Sequence, residues 1–148
     1  MKETIARLHT ILESKAGRLL ALSDAASALR PAPEKWSRKE ILGHLVDSAS
    51  NNHQRFVRAT LVPDLVFPSY EQEGWVAVQR YGEESWLNLI DLWLAYNRHL
   101  LHVMSSAPES ALGHRCVVGS GEPMSLRDLM TSYVDHLQHH LSQILGGS

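Results

Sequence analysis

"SRKEILGHLVDSASNNHQRFVRAT", residues 37 to 60, reads as a helix that carries its own start signal. Ser37 is followed three residues later by Glu40, the spacing of a capping box, in which each side chain satisfies a backbone donor of the other residue. The helix is expected from Arg38 to about Thr60, and Pro63 marks its end.

Three more segments carry helical periodicity. Residues 3–22 place Ile5, Leu8, Ile11, Leu12, Leu19 and Leu20 on one face, with an interruption at Lys15–Ala16. "RPAPEKW", residues 30 to 36, then breaks the pattern, because Pro31 and Pro33 cannot continue a helix interior. Residues 85–105 repeat Trp86, Leu89, Ile90, Trp93, Tyr96, Leu100 and Met104 at threes and fours, a broad core stripe that ends before Pro108. Ser125, with Asp128 three residues on, caps a last helix over 126–145, which the Gly146–Gly147 pair closes.

The connections are long. "VPDLVFPSYEQEGWVAVQRYGEE", residues 62 to 84, reads as irregular, with a short helix between Tyr70 and Tyr81 that Gly74 weakens. "HRCVVGSGEPM", residues 114 to 124, reads as a glycine-rich loop with a short strand pair. Its "GSG", with no strand or helix signal adjoining it strongly enough, is too weak a pattern to read as a phosphate loop. Four amphipathic helices with little strand signal predict an all-α chain, an antiparallel four-helix bundle in a single domain over 1–148. The long connections would form a rim at one end.

Composition narrows the function. Fourteen basic residues against sixteen acidic ones give a net charge of −2, with no basic stripe, which argues against a nucleic-acid partner. A single cysteine, Cys116, rules out an intrachain disulfide and a CxxC zinc site. No segment approaches the ~20 apolar residues of a membrane span, and "MKETIARLHTILESK" lacks the apolar run of a leader peptide. The expectation is a cytoplasmic protein in a reducing compartment. The aromatic and leucine stripe over 85–105, in a chain with four tryptophans, leads us to expect a homodimer through helix faces.

Three of nine histidines crowd into "YVDHLQHHLSQ", residues 133 to 143. His136 and His140 are four apart, so both rings share a helix face with Cβ atoms ~5–6 Å apart, close enough to share a metal ion. They flank the apolar stripe of Tyr133, Leu137, Leu141 and Ile144. His139 is rotated by ~100° from His140 and is expected to face solvent. A third ligand must come from elsewhere, and His44, on the buried side of its helix between Ile41, Leu45 and Ser48, is the leading candidate. The competing reading is a decorated helix face with His44 as a core residue. Asp47, one turn from His44, is either a solvated carboxylate or a proton acceptor. Ser48, Asn51 and Arg55 share the general face of His44 and could line a pocket or simply pack. His9, His53, His99, His102 and His114 are read as surface residues, and Cys116 as an incidental loop thiol.

"KWSRKEILGHLVDS", residues 35 to 48, resembles the W-S-x-x-E-x-x-x-H-L-x-D signature of the DinB-like superfamily. "YVDHLQHHLSQI", residues 133 to 144, resembles its closing H-x-x-x-H helix, and "YEQEGW", residues 70 to 75, is similar to a stretch of the YfiT branch of metal-dependent hydrolases. The resemblance implies a four-helix bundle that holds nickel or zinc on three histidines, here His44, His136 and His140. It also implies hydrolase-type or thiol S-transferase chemistry on a small molecule, with a low-molecular-weight thiol as cofactor in some relatives, and dimers in many. Asp135, Gln138 and Gln143 stand where the YfiT branch has further histidines. The expectation is therefore a metal-dependent enzyme, and the alternative is a non-catalytic, metal-binding, dimerising stress-response protein.

Overall fold

In the computed structural model, which describes residues 1–146, the expected capping box is complete. The Ser37 hydroxyl accepts from the Glu40 backbone N–H at 3.2 Å, and the Glu40 carboxylate accepts from the Ser37 N–H at 2.8 Å. In chain order the elements are α1 (Lys2–Leu20), α2 (Asp24–Ala28), α3 (Arg38–Leu61), β1 (Asp64–Phe67), α4 (Gln72–Gln79), α5 (Trp86–Ser106), β2 (Arg115–Val118), β3 (Met124–Ser125) and α6 (Leu126–Leu145). Ser125 accepts from the Asp128 N–H at 3.0 Å, and Gly146 ends α6 with φ +77°, a conformation that favours glycine. Gly147, expected to help close this helix, lies outside the described residues.

The four long helices form a bundle in which α3 and α1 each contact both α5 and α6. Side-chain pairs fix their directions. Arg38 donates to the Ile144 carbonyl at 3.0 Å, and Phe56 meets Tyr133 edge to face, so α3 and α6 run antiparallel. Thr4 meets Thr131 at 3.1 Å and Arg18 reaches the Leu145 carbonyl at 3.3 Å, so α1 and α6 run parallel. The Trp86 indole N–H donates to the Leu19 carbonyl at 2.9 Å, tying the end of α1 to the start of α5. Lys39 donates to the Glu84 carbonyl at 2.6 Å and His53 meets Tyr96 at 3.2 Å, so α5 runs alongside α3 in the same direction. The bundle is thus up-down-down-up, with two antiparallel and two parallel neighbour pairs. The physical reason is the 62–85 connection, which climbs the full length of α3 before α5 begins.

That connection explains the element that sequence reading missed. "DLVF" forms β1, which pairs in parallel with β2, and β2 pairs antiparallel with β3. Four residues between Pro63 and Pro68 are too few to show a period of two. The strand pair expected within 114–124 is realised as β2 and β3, with Met124–Ser125 as its second arm.

The aromatic stripe of α5 is consumed inside the bundle: Trp86 and Trp93 are fully buried, while Leu87 and Leu92 are exposed. The surplus of aromatic surface that suggested a homodimer is therefore not found on this helix. Asn97, also fully buried, donates to the Trp93 carbonyl at 2.9 Å and accepts from the Tyr133 hydroxyl at 2.6 Å. At the start of α5, Asp24 accepts from the Trp86 N–H at 2.8 Å and from Lys39 at 3.0 Å, which joins α2, α3 and α5. No helix among the described residues is long and apolar enough to cross a membrane.

Candidate metal centre

The antiparallel pairing of α3 with α6 sets the second turn of α3 beside the last three turns of α6. His44, His136 and His140 meet there, each offering one ring nitrogen, and these atoms lie within 4.8 Å of one another. Nε2 of His44 is 3.1 Å from Nε2 of His136. Ring centroids are 5.0 Å apart for His44 and His136, 4.8 Å for His44 and His140, and 4.5 Å for His136 and His140. Trp36 tilts over His44 at 5.2 Å. His139 is exposed, as its rotation on the helix requires.

Burial keeps these rings uncharged. His44 is lowered to about 4, by burial first and then by the neighbouring His136 and His140. His136 is lowered to about 4 by burial, with His140 and His139 adding to it. His140 is lowered by burial, partly offset by a hydrogen bond to Gln143. A neutral imidazole has a lone pair on one ring nitrogen, which is the form that binds a metal. The amide oxygen of Gln143 lies 2.8 Å from Nδ1 of His140; it can only accept, so Nδ1 carries the proton and Nε2 keeps its lone pair.

Nδ1 of His44 is buried with no partner among the described residues. Two Nε2 atoms at 3.1 Å, a third imidazole converging on them and no positive charge among the rings are features that fit a shared divalent cation. The donors are all nitrogen, which suits a transition metal better than calcium or magnesium.

Asp47 is almost fully buried one turn beyond His44. Its Oδ1 accepts from the Tyr81 hydroxyl at 2.7 Å and from the Gln79 amide at 2.8 Å, while Oδ2 is buried without a partner among the described residues. Burial raises its pKa, and the Gln79 and Tyr81 hydrogen bonds pull the other way. The solvated reading of Asp47 is thereby corrected. Tyr81 can reach it because Gly43 has no side chain: a Cβ there would lie 2.2 Å from Cδ2 of Tyr81. Neither Tyr81 nor Gln79 was legible as a site neighbour, since only the climb of the 62–85 connection along α3 brings them there.

A cavity of about 230 Å³ opens beside His136. Ser48, Asn52 and Arg55 of α3 line it together with Tyr70 of the connection and Tyr133 of α6. Ser48 and Arg55 thus do face a pocket. Asn51, whose amide donates to the Asp47 carbonyl at 2.9 Å, lines a second cavity on the other side of Arg55, toward Pro68.

The remaining candidates fall elsewhere. Cys116 is not a loop residue; it is fully buried in β2, and burial pushes its thiol pKa up. His53 and His114 are half-buried, His53 against Tyr96 and His114 at 2.6 Å from the Ala59 carbonyl, whereas His9, His99 and His102 are exposed as expected. Asp135 and Gln138 engage Arg7 on the surface, at 2.6 and 3.2 Å, so of the three positions that differ from the YfiT branch only Gln143 touches the site.

The sequence pattern of the DinB superfamily matches residues 7–144. Among solved structures, YfiT from Bacillus subtilis, described as "a probable metal-dependent hydrolase with an unusual four-helix bundle topology", superposes with a TM-score of 0.81 at 16% identity, covering 99% of this chain and 88% of its own. A mycothiol-dependent maleylpyruvate isomerase superposes with a TM-score of 0.80 at 14% identity, covering 99% of this chain; the match spans only 60% of the isomerase. A DinB-like protein, YjoA, from Bacillus subtilis follows at a TM-score of 0.68 and 13% identity, covering 97% of this chain and 87% of its own. No curated protein sequence matches the chain.

Proposed function

The chain belongs to the DinB superfamily, and we propose that it is a divalent-metal-dependent enzyme acting on a small molecule. His44, His136 and His140 would hold the ion, with nickel and zinc among the metals that imidazole donors suit. When bound, the ion supplies Lewis acidity, the capacity to polarise a substrate oxygen or to ease loss of a proton from water or a thiol. The observation that carries this reading is the convergence of three neutral imidazoles, one of which, His136, lines a cavity.

The chain's own residues divide the remaining work. Gln143 holds His140 with its Nε2 lone pair free. Asp47 is the candidate proton acceptor, because burial raises its proton affinity and Oδ2 has no partner. Tyr81 and Gln79 fix its other oxygen. Asp47 serves as the base in this reading, and Cys116, the chain's one thiol, is buried away in β2. The attacking group is therefore exogenous, either water in a hydrolase reaction or a low-molecular-weight thiol in an S-transfer to an electrophilic carbon.

The competing non-catalytic reading requires a site closed by a fourth protein ligand. The group of histidine, cysteine and carboxylate side chains that converges here, among the described residues, has three members. The test is turnover. Zinc- and nickel-loaded protein is assayed against ester, epoxide and alkyl halide panels, with and without bacillithiol, mycothiol or glutathione. Turnover that His136→Ala abolishes and His139→Ala retains supports an enzyme. Absence of turnover across every combination returns the chain to the metal-binding, non-catalytic alternative.

A further inference from the structure

We propose that the cavity beside the three histidines takes a small molecule bearing a carboxylate, held by the guanidinium of Arg55; this deepens the enzymatic reading above and rests on it for the chemistry.

Arg55 is only 8% exposed. Among the described residues its side chain makes one hydrogen bond, from Nη2 to the Pro68 carbonyl at 3.3 Å. A guanidinium carries five N–H donors and cannot lose its charge in a protein. No carboxylate lies within salt-bridge distance of it among the described residues; the other buried cation, Lys39, has Asp24 at 3.0 Å. Burying a charge without a partner is costly, and native structures pair such charges. A cation this buried, left unpaired on a cavity wall, marks the place of an anion.

The cavity fixes the kind of anion. Its walls set Val118, Met124 and Leu129 beside Ser48, Asn52, Gln72 and Ser132, so the body of the ligand combines apolar surface with a few polar groups. One unpaired cation balances one negative charge, which favours a carboxylate over a phosphate dianion. Arginine also matches the two oxygens of a carboxylate in a parallel pair of hydrogen bonds. Tyr70 lines the same cavity, and its pKa is pushed up to about 12 by burial and by Asp47, so its hydroxyl stays protonated and can donate. Desolvation weighs on Arg55 itself, which is the cost a bound anion would relieve.

The geometry connects this anchor to the chemistry. Arg55 follows His44 by eleven residues on α3, a rotation of ~20° beyond three full turns, so both lie on one face of the helix. His136 reaches the same cavity from α6. A ligand anchored by its carboxylate at Arg55 would extend toward the histidines, with its electrophilic centre away from the acid group.

The probe is benzoate, a rigid monocarboxylate, compared with the neutral benzamide and with inorganic phosphate. Each is titrated by calorimetry and ligand-observed NMR into metal-free and zinc-loaded protein. Benzoate should bind both forms, with benzamide at least tenfold weaker and phosphate no tighter than benzoate. Arg55→Gln should weaken benzoate at least tenfold with zinc stoichiometry unchanged, and Arg55→Lys should retain part of the affinity. Equal affinity for benzoate and benzamide, preference for phosphate, or unchanged benzoate binding in Arg55→Gln overturns the proposal. If Arg55→Gln does not fold, the comparison of benzoate with benzamide on the unaltered chain still decides. The two readings fail separately. Loss of zinc binding with benzoate selectivity intact removes the metal enzyme and leaves the anion site, whereas normal zinc with no selectivity removes the anion site alone.

Discussion

Nε2 of His44 lies 3.1 Å from Nε2 of His136, across 92 residues of sequence. Two imidazoles held this close and buried resist protonation, and both are lowered to about 4 from the ordinary 6.5. In the metal-free protein the unfolded chain therefore binds more protons than the folded one between about pH 6.5 and about pH 4. Stability should fall as pH drops through that window, and these two groups should contribute no pH dependence above it. Urea denaturation of metal-free protein from pH 8 to pH 4 checks this. A His44→Gln variant should show a shallower loss; an equally steep one would mean that other groups titrate.

Gly43 and Tyr81 make a prediction whose sign is informative. In an open helix, Gly→Ala stabilises by about 1 kcal/mol. Here the added methyl would meet the Tyr81 ring at 2.2 Å, and overpacking of that kind costs about 1–3 kcal/mol. Gly43→Ala should therefore be neutral to destabilising by up to about 2 kcal/mol, and it should loosen the Tyr81–Asp47 bond. A thermal melt that rises by the full helix-propensity gain would show that Tyr81 does not pack there.

Tyr133→Phe removes the donor to Asn97, whose oxygen would be left buried and unsatisfied. The expected loss is about 1–3 kcal/mol. Tyr133→Phe combined with Asn97→Leu should lose less than the sum of the two single changes, because the stranded acceptor is gone. Strict additivity in that double-mutant cycle would argue that the pair is not coupled.

The long helices were legible because their signals are local. The capping box at Ser37, the cap at Ser125 and the threes-and-fours of Trp86 to Met104 act within a few turns. His136 and His140 were legible as a pair for the same reason. His44 could be named as their companion only as a candidate, since its approach depends on α3 running antiparallel to α6. The residues that stayed hidden are those delivered by the 62–85 connection. Tyr70, Gln79 and Tyr81 belong to no periodic pattern, and the direction of that climb follows from parallel α3 and α5, which no local signal states. Arg55 was visible as a residue on the His44 face, but its lack of a carboxylate partner is a fact of three-dimensional packing alone.

Metal stoichiometry in the histidine variants tests the central claim most directly. Purified chain, loaded with zinc or nickel and freed of excess metal, is measured by elemental analysis beside His44→Ala, His136→Ala, His140→Ala and His139→Ala. The account predicts close to one ion per chain in the unaltered protein and in His139→Ala, and a large loss in each of the other three. Retention of stoichiometric metal by His44→Ala, or by both α6 variants, would contradict it.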